Sequence, residues 1–112
     1  MSEPIRRYSE FWPYYLREHA KPQTRALHYL GTGLATAVMI GLAATSRIWL
    51  VPLVLIAGYA PAWIAHFFIE KNRPATFTYP VWSLVSDYRM AFTWASGRLQ
   101  TELAKAGVTP RR

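Results

Sequence analysis

Two long uncharged tracts constrain the fold of this chain more than any other feature. Residues 26–46 and 48–69 contain no Lys, Arg, Asp or Glu, so Arg47 alone separates them. At about 1.5 Å of rise per residue, a helix of roughly 20 residues crosses the ~30 Å hydrocarbon core of a bilayer. A soluble helix pair would need a polar stripe on each helix, and residues 48–56 offer none. The tracts therefore predict an all-α fold built on a membrane hairpin with spans at 26–46 and 48–69.

Basic residues lie on both flanks of this predicted hairpin. Five precede the first span, Arg47 lies in the turn, and seven follow the second span. By the positive-inside rule, this asymmetry predicts that both termini are cytoplasmic. It also explains the formal charge of +7 without nucleic acid, because the cations do not form one stripe interleaved with stacking aromatics. The start of the chain lacks the pattern of a cleaved signal peptide.

The remaining segments predict a single membrane domain over residues 1–112. Residues 1–25 carry aromatics suited to an interfacial N-terminal helix. Residues 70–112 contain a motif loop and then an amphipathic helix, in which Asp87 and Arg89 disfavour a third span, so we expect it to lie on the cytoplasmic surface. Because the chain has no cysteine, any metal must be held by nitrogen and oxygen.

Small residues recur every four positions in each tract and predict where the two spans pack. The stripes consist of Gly33, Ala37 and Gly41 in the first span, and of Gly58 and Ala62, continued by His66 and Glu70, in the second. Such stripes let helix backbones approach closely in lipid. We expect the second stripe to face the first span.

The hairpin also brings histidines to one depth. His28 lies about 18 residues before the Ser46-Arg47 turn and His66 about 19 after it, so both imidazoles reach a similar level on the cytoplasmic side at ~1.5 Å per residue. His19 precedes the same span, and Pro22 lets the chain fold back over the site. Ionisable groups at membrane depth are costly and usually functional. We therefore predict that the three histidines share a metal site.

Carboxylates near these histidines extend the candidate site. Glu70 follows His66 by four residues, a helical spacing that places both side chains on one face. Three histidines, or two with a carboxylate, leave positions open for dioxygen and substrate and suit non-haem Fe(II), although zinc accepts the same ligands. Each residue also has an ordinary interpretation: a histidine near a helix end forms hydrogen bonds, and Glu70 pairs with a nearby cation. Asp87 is either an exposed acid or a partner that orients an imidazole.

The run Lys71-Asn72-Arg73 directly follows Glu70. Its cations continue the positive flank of the span, and they also suit an anionic lipid head group. Arg73 in particular can bind a carboxylate through two hydrogen bonds. We therefore regard the three residues as candidate substrate-binding groups.

Two stretches of the sequence resemble a known family. They are EHAKPQTRALHYLGT at residues 18–32 and GYAPAWIAHFFIEKNRPATFTYPVWSL at residues 58–84, followed by Asp87 and Met90. They resemble small membrane proteins, formerly a domain of unknown function, that are named for the metabolism of phytosphingosine to odd-numbered fatty acids. The chain departs from the family pattern at Ser86, where a glycine is expected.

The resemblance implies an Fe(II)-dependent dioxygenase that shortens a long-chain 2-hydroxy fatty acid by one carbon in alpha-oxidation. It implies that His19, His28 and His66 are catalytic and bind the metal, and that dioxygen, membrane lipid and the fatty acid are partners. The implied location is a bacterial inner membrane or the endoplasmic reticulum membrane. Two alternatives stay open, namely a non-enzymatic hairpin acting as a lipid-binding or assembly factor, and a zinc-dependent lipid hydrolase. The sequence leaves the oligomeric state unknown.

Overall fold

The computed structural model describes residues 4–108, and within them the protein is helical and contains no strand. The five α-helices are α1 (Tyr8–Arg17), α2 (Pro22–Thr45), α3 (Leu50–Ile64), α4 (Pro80–Ala95) and α5 (Leu99–Lys105). A π-helix, Ala65–Glu70, continues α3, and a 3-10 turn, Ala75–Phe77, precedes α4. The predicted all-α class is confirmed. Arg111 and Arg112, which entered the charge argument, lie outside the described residues.

The chain forms two compact units. The hairpin unit is Lys21–Pro74 and contains α2, α3 and the π-helix. The terminal unit combines Met1–Ala20 with Ala75–Arg112 and contains α1, α4 and α5. Each unit is described separately below.

Two helices of the hairpin unit are long and apolar enough to cross a membrane, as predicted. They are Pro22–Thr45, of 24 residues, and the continuous helix Leu50–Glu70, of 21 residues. In the most apolar 18-residue segment of each helix, only 11% and 17% is buried, whereas the core helix of a soluble protein is mostly buried. The first helix begins four residues before the predicted span because Pro22 occupies its first turn, where a missing N–H costs nothing.

The two long helices approach each other most closely at Gly31. A Cβ added there would lie 2.7 Å from the carbonyl oxygen of Gly58 and 3.3 Å from that of Ala57. Pro61 has no N–H to donate to the Ala57 carbonyl, so this oxygen is available to the neighbouring helix, where a Cα–H can approach it. Only a glycine allows so close an approach of backbone to backbone.

The predicted packing stripe was right for one helix and wrong for the other. A Cβ added to Gly58 would lie 3.3 Å from the Cβ of Ala35, so the second stripe faces the first span as expected. On α2, however, added Cβ atoms at Gly33 and Gly41 meet nothing within 4 Å. The contact is made instead by Gly31 and Ala35, because the rotation of α2 about its axis follows from the packing of the pair and not from the most regular run of small residues.

The terminal unit has an aromatic core. Phe11, Tyr15 and Leu16 of α1 are almost fully buried, and Met90 of α4 is also buried. Trp12 is buried beside them, and its indole N–H donates a hydrogen bond of 2.8 Å to Glu102 of α5. These contacts fix the end of α1, from which His19 follows.

Helix α4 is amphipathic, as predicted, but its burial is inverted relative to a soluble helix. Its buried residues are Ser83, Ser86, Met90 and Thr93. Its exposed residues include Val81, Leu84, Val85, Phe92 and Trp94. A soluble helix turns its apolar stripe inward, so this outward apolar face is typical of a helix that contacts lipid. The position of α4 at a membrane surface stays a prediction.

Candidate metal centre

His28 and His66 meet inside the hairpin unit. Their Nε2 atoms lie 3.1 Å apart, and their ring planes are nearly perpendicular, at 84°. Both rings are buried, with exposed fractions of 6% for His28 and 2% for His66. The convergence predicted by counting residues from the turn is therefore confirmed for this pair.

Hydrogen bonds join the start of α2 to the end of the π-helix. They explain why the two histidines meet. The backbone N–H of Lys21 donates to the Glu70 carboxylate at 2.6 Å, and the Lys21 ammonium donates to the Ile69 carbonyl at 3.0 Å. Because Lys21 is the N-cap of α2, the Glu70 carboxylate also lies where the helix dipole favours negative charge. The two hydrogen bonds set the register between the helices.

His66 and Glu70 both lie in the π-helix that continues α3. Ala65–Glu70 is a π-helix, whose hydrogen bonds close over five residues, whereas the sequence predicted that the regular α-helix of the span continues through these residues. The predicted shared face of the two side chains stays a prediction. Glu70 contacts Lys21 in the structure, and its role as a metal ligand stays a prediction. Single turns of π-helix occur frequently at functional sites.

Asn72 fixes the tautomer of His66. The Nδ1 atom of His66 lies 2.7 Å from Oδ1 of Asn72, and an amide oxygen only accepts, so Nδ1 donates the proton. In the neutral ring the lone pair is then on Nε2, the atom that faces His28. Metal-binding histidines usually donate their second ring N–H in this way. Asn72, which the sequence predicted to bind substrate, therefore accepts a hydrogen bond from a histidine in the structure.

The spacing of the two Nε2 atoms also fits a shared cation. Bonds of about 2.1 Å to one ion, at a right angle, separate two ligand nitrogens by about 3.0 Å. The observed 3.1 Å therefore matches the spacing expected of two adjacent ligands of one ion.

His19 is held in the same tautomer within the terminal unit. Its Nδ1 lies 2.6 Å from the backbone carbonyl oxygen of Tyr15, which only accepts, so Nε2 again carries the lone pair. The His19 ring is 1% exposed and stacks on the Tyr15 ring with centroids 4.1 Å apart. The Tyr15 hydroxyl donates to Asp87. Asp87 therefore contacts the residue on which His19 stacks, and its role in orienting an imidazole stays a prediction.

Ser86 does not disturb this arrangement. Helix α4 runs without a break through Ser86 and Asp87, and the Ser86 hydroxyl forms a 2.9 Å hydrogen bond with the hydroxyl of Tyr8. The departure from the family pattern at this position is thus accommodated inside a regular helix.

Three buried histidines are candidate metal ligands in the part of the chain that the structure describes. They are His28 and His66 in the hairpin unit and His19 in the terminal unit. Each offers one ring nitrogen, and for His19 and His66 the hydrogen bond at Nδ1 leaves Nε2 as the donor to a metal. A donor set of neutral imidazoles suits iron, zinc, copper and nickel.

Residues 5–99 match the family described as 2-hydroxy-palmitic acid dioxygenase Mpo1-like. The chain belongs to the Mpo1-like family. The matched region contains all three buried histidines as well as Asn72 and Asp87, and it confirms the resemblance seen in the sequence. No curated protein and no solved structure matches the chain. The description of the Mpo1-like family suggests a dioxygenase that acts on a 2-hydroxy fatty acid.

The cations predicted to bind substrate in this Mpo1-like chain lie just beyond the π-helix. Lys71 ends that helix in the left-handed conformation, at φ 63°, and both Lys71 and Arg73 are exposed. By contrast, Arg25 in the first turn of α2 is buried and is attracted electrostatically to Glu70.

Sequence reasoning missed two residues that this Mpo1-like chain buries beside its histidines. Thr24 precedes His28 by four residues on α2, and Tyr15 precedes His19 by four residues at the end of α1. The spacing of four residues from a candidate ligand was the available signal, because it places side chains on one helical face.

Proposed function

We propose that this protein is an integral membrane, Fe(II)-dependent dioxygenase that converts a long-chain 2-hydroxy fatty acid into the fatty acid one carbon shorter. The pair of buried Nε2 atoms of His28 and His66, 3.1 Å apart, carries this proposal. The membership of the chain in the Mpo1-like family supports the choice of reaction and substrate.

His28, His66 and His19 would supply the three nitrogen ligands. His19 is two residues before Lys21, and consecutive Cα atoms are about 3.8 Å apart, so connectivity keeps His19 close to the start of α2, where Lys21 is bonded to Glu70. Three histidines leave coordination positions open for substrate and dioxygen. Bound Fe(II) would supply the redox chemistry that dioxygen requires.

The residues of the chain prepare and shield this site. Asn72 and the Tyr15 carbonyl hold protons at Nδ1 of His66 and His19, so that in both neutral rings the lone pair lies on Nε2, the atom that would bind metal. Burial of the rings excludes water and so limits side reactions of oxidised intermediates. Arg73 and Lys71 would attract the substrate carboxylate at the membrane surface.

The proposed reaction balances without a further reductant. The 2-hydroxy acid and one dioxygen molecule give the shortened fatty acid, carbon dioxide and water, with cleavage of the bond between C1 and C2. The substrate loses four electrons and dioxygen gains four. Metal, substrate and dioxygen would therefore suffice for turnover in a purified preparation.

The exposed apolar surfaces support a location in a membrane. The most apolar segment of each long helix is largely exposed, and the large apolar side chains of α4 are also exposed. Lipid would cover these surfaces. The excess of Lys and Arg outside the hairpin favours cytoplasmic termini.

The test uses protein purified anaerobically in detergent and reconstituted with Fe(II). We expect oxygen consumption with 2-hydroxypalmitate and formation of the fifteen-carbon acid, measured with an oxygen electrode and mass spectrometry. Because His66→Ala removes a ligand, it should abolish both iron retention and turnover. Oxygen uptake that is unchanged in His66→Ala would overturn the catalytic assignment.

One observation favours a second candidate function. A distance of 3.1 Å between two ring nitrogens is also an ordinary hydrogen bond, in which one neutral imidazole donates to the other. In that case the hairpin is a lipid-binding or assembly factor that needs no metal. Wild-type protein that binds no iron, and whose thermal stability does not respond to divalent metals, would favour this candidate.

A further inference from the structure

Thr24 carries a buried hydroxyl that no described residue satisfies. Its exposed fraction is 0%, and its Oγ1 atom has no hydrogen-bond partner in the described part of the chain. A buried hydroxyl without a partner is costly, because it has lost its hydrogen bonds to water. A hydrogen-bond partner from outside the described chain would remove this cost.

Other helical threonines in the chain do not share this property. Thr36, Thr45 and Thr93 each donate to the carbonyl oxygen four residues earlier, at distances of 2.7, 2.7 and 3.0 Å. Thr24 is the third residue of α2, so the corresponding residue is Ala20, which precedes the N-cap and lies outside the helix. Its hydroxyl thus lacks the usual partner within its own helix.

Thr24 lies on the helical face that carries the candidate metal ligand. It precedes His28 by four residues, and Gly31 continues the same face at the close contact with α3. All three residues are buried. Thr24 therefore lies one helical turn before His28, whose Nε2 atom meets that of His66.

We infer that Thr24 recognises the 2-hydroxyl group of the substrate through a hydrogen bond to its Oγ1 atom. This inference rests on the proposed function, since it assigns the group that separates a 2-hydroxy acid from an ordinary fatty acid. A site built to bond a hydroxyl discriminates strongly against the analogue that lacks it, because its own polar group is then left unpaired.

The charges around α2 favour the hydroxyl over the carboxylate as the partner of Thr24. The Glu70 carboxylate already lies at the start of α2, on the N–H of Lys21, and it attracts the buried Arg25. A second carboxylate in that place would be repelled by Glu70. A neutral hydroxyl is not repelled in this way, and the exposed cations Lys71 and Arg73 would attract the carboxylate on the adjacent carbon.

The experiment compares the binding of 2-hydroxypalmitate and palmitate to Fe(II)-loaded protein under anaerobic conditions. We expect wild-type protein to prefer the 2-hydroxy acid, and Thr24→Val to bind it about tenfold more weakly while its affinity for palmitate is unchanged. Thr24→Ser keeps the hydroxyl and should keep the preference. Thr36→Val is the matched control on the same helix, because the Thr36 hydroxyl is bonded to Thr32, and it should leave both affinities unchanged.

Thermal unfolding of metal-free protein provides a readout that is independent of activity. Since the Thr24 hydroxyl has no partner in the described structure, Thr24→Val should unfold at the same or a higher temperature than wild type. Equal discrimination by Thr24→Val and wild type would overturn the inference, as would a wild-type protein with no preference for the hydroxy acid. If wild type consumes no oxygen, the proposed function fails, whereas the comparison of the two acids still decides the role of Thr24.

Discussion

The hairpin unit and the terminal unit pack by different means. The hairpin unit joins its helices through small residues, with Gly31 against the backbone at Gly58, and leaves its large apolar side chains exposed. The terminal unit instead buries large side chains such as Phe11 and Tyr15. The first mode is typical of helices in lipid and the second of a soluble core. His28 and His66 therefore lie in the unit where the close approach of two helix backbones, and not the packing of large side chains, sets the distance between the helices.

The two units also hold their histidines by different means. In the hairpin unit a side-chain amide, that of Asn72, accepts the Nδ1 proton of His66. In the terminal unit a main-chain carbonyl, that of Tyr15, accepts the Nδ1 proton of His19. Substitution therefore removes the first support directly, whereas the second remains as long as the backbone keeps its fold.

The largest effect is expected where the hairpin backbones touch. Gly31→Ala would place a Cβ 2.7 Å from the Gly58 carbonyl oxygen and should destabilise the hairpin unit by about 1–3 kcal/mol, because a backbone atom cannot move aside cheaply. Gly33→Ala is the matched control, since a Cβ there meets nothing within 4 Å. Unfolding in mixed micelles measures both. Equal stability of the two variants would contradict lipid-type packing at Gly31.

The next effect concerns the support of the histidines. Asn72→Leu should weaken iron binding about tenfold, because His66 loses the acceptor that fixes its tautomer. Asn72→Asp keeps an acceptor and should retain most of the affinity. Tyr15→Phe removes only the hydroxyl bonded to Asp87 and preserves the carbonyl bonded to His19, so its effect should be smaller. Competition with a chromophoric chelator gives the affinities, and an effect of Tyr15→Phe that exceeds that of Asn72→Leu would reverse the comparison.

The smallest effect is a pH dependence confined to the terminal unit. The hydrogen bond from the Trp12 indole lowers the pKa of Glu102 from its ordinary value of 4.5. The folded form therefore gains stability above the unfolded pKa, and this gain is lost as the pH falls through the lower folded value. Glu102→Gln should flatten the decline of stability between about pH 5 and pH 3. Identical acid profiles for variant and wild type would contradict the role of this hydrogen bond.

The sequence predicted the parts of the structure that follow from counting. The uncharged tracts located both long helices, and the distance of His28 and His66 from the turn predicted that they meet. These features depend only on helical rise and on the cost of charge in lipid. The resemblance to the Mpo1-like family was also visible in the motifs and is confirmed by the match over residues 5–99.

Features that depend on rotation and local helix type could not be read from the sequence. Small residues recur more regularly on the face of α2 that contains Gly33, yet the face that contains Gly31 and Ala35 packs against α3. Residues Ala65–Glu70 form a π-helix in place of the expected α-helix, and no local sequence pattern indicated it. The hydrogen bonds that His66 donates to Asn72 and that His19 donates to the Tyr15 carbonyl depend on side-chain orientation, so they became visible only with the structure.

X-ray absorption spectroscopy of the Fe(II)-loaded protein tests the central claim most directly. We expect about one iron per chain with imidazole ligands at a distance of about 2.1 Å, and loss of the imidazole signal when His66 is replaced by alanine. Protein that retains no iron, or iron surrounded by oxygen ligands alone, would contradict the claim that the buried histidines form a metal centre.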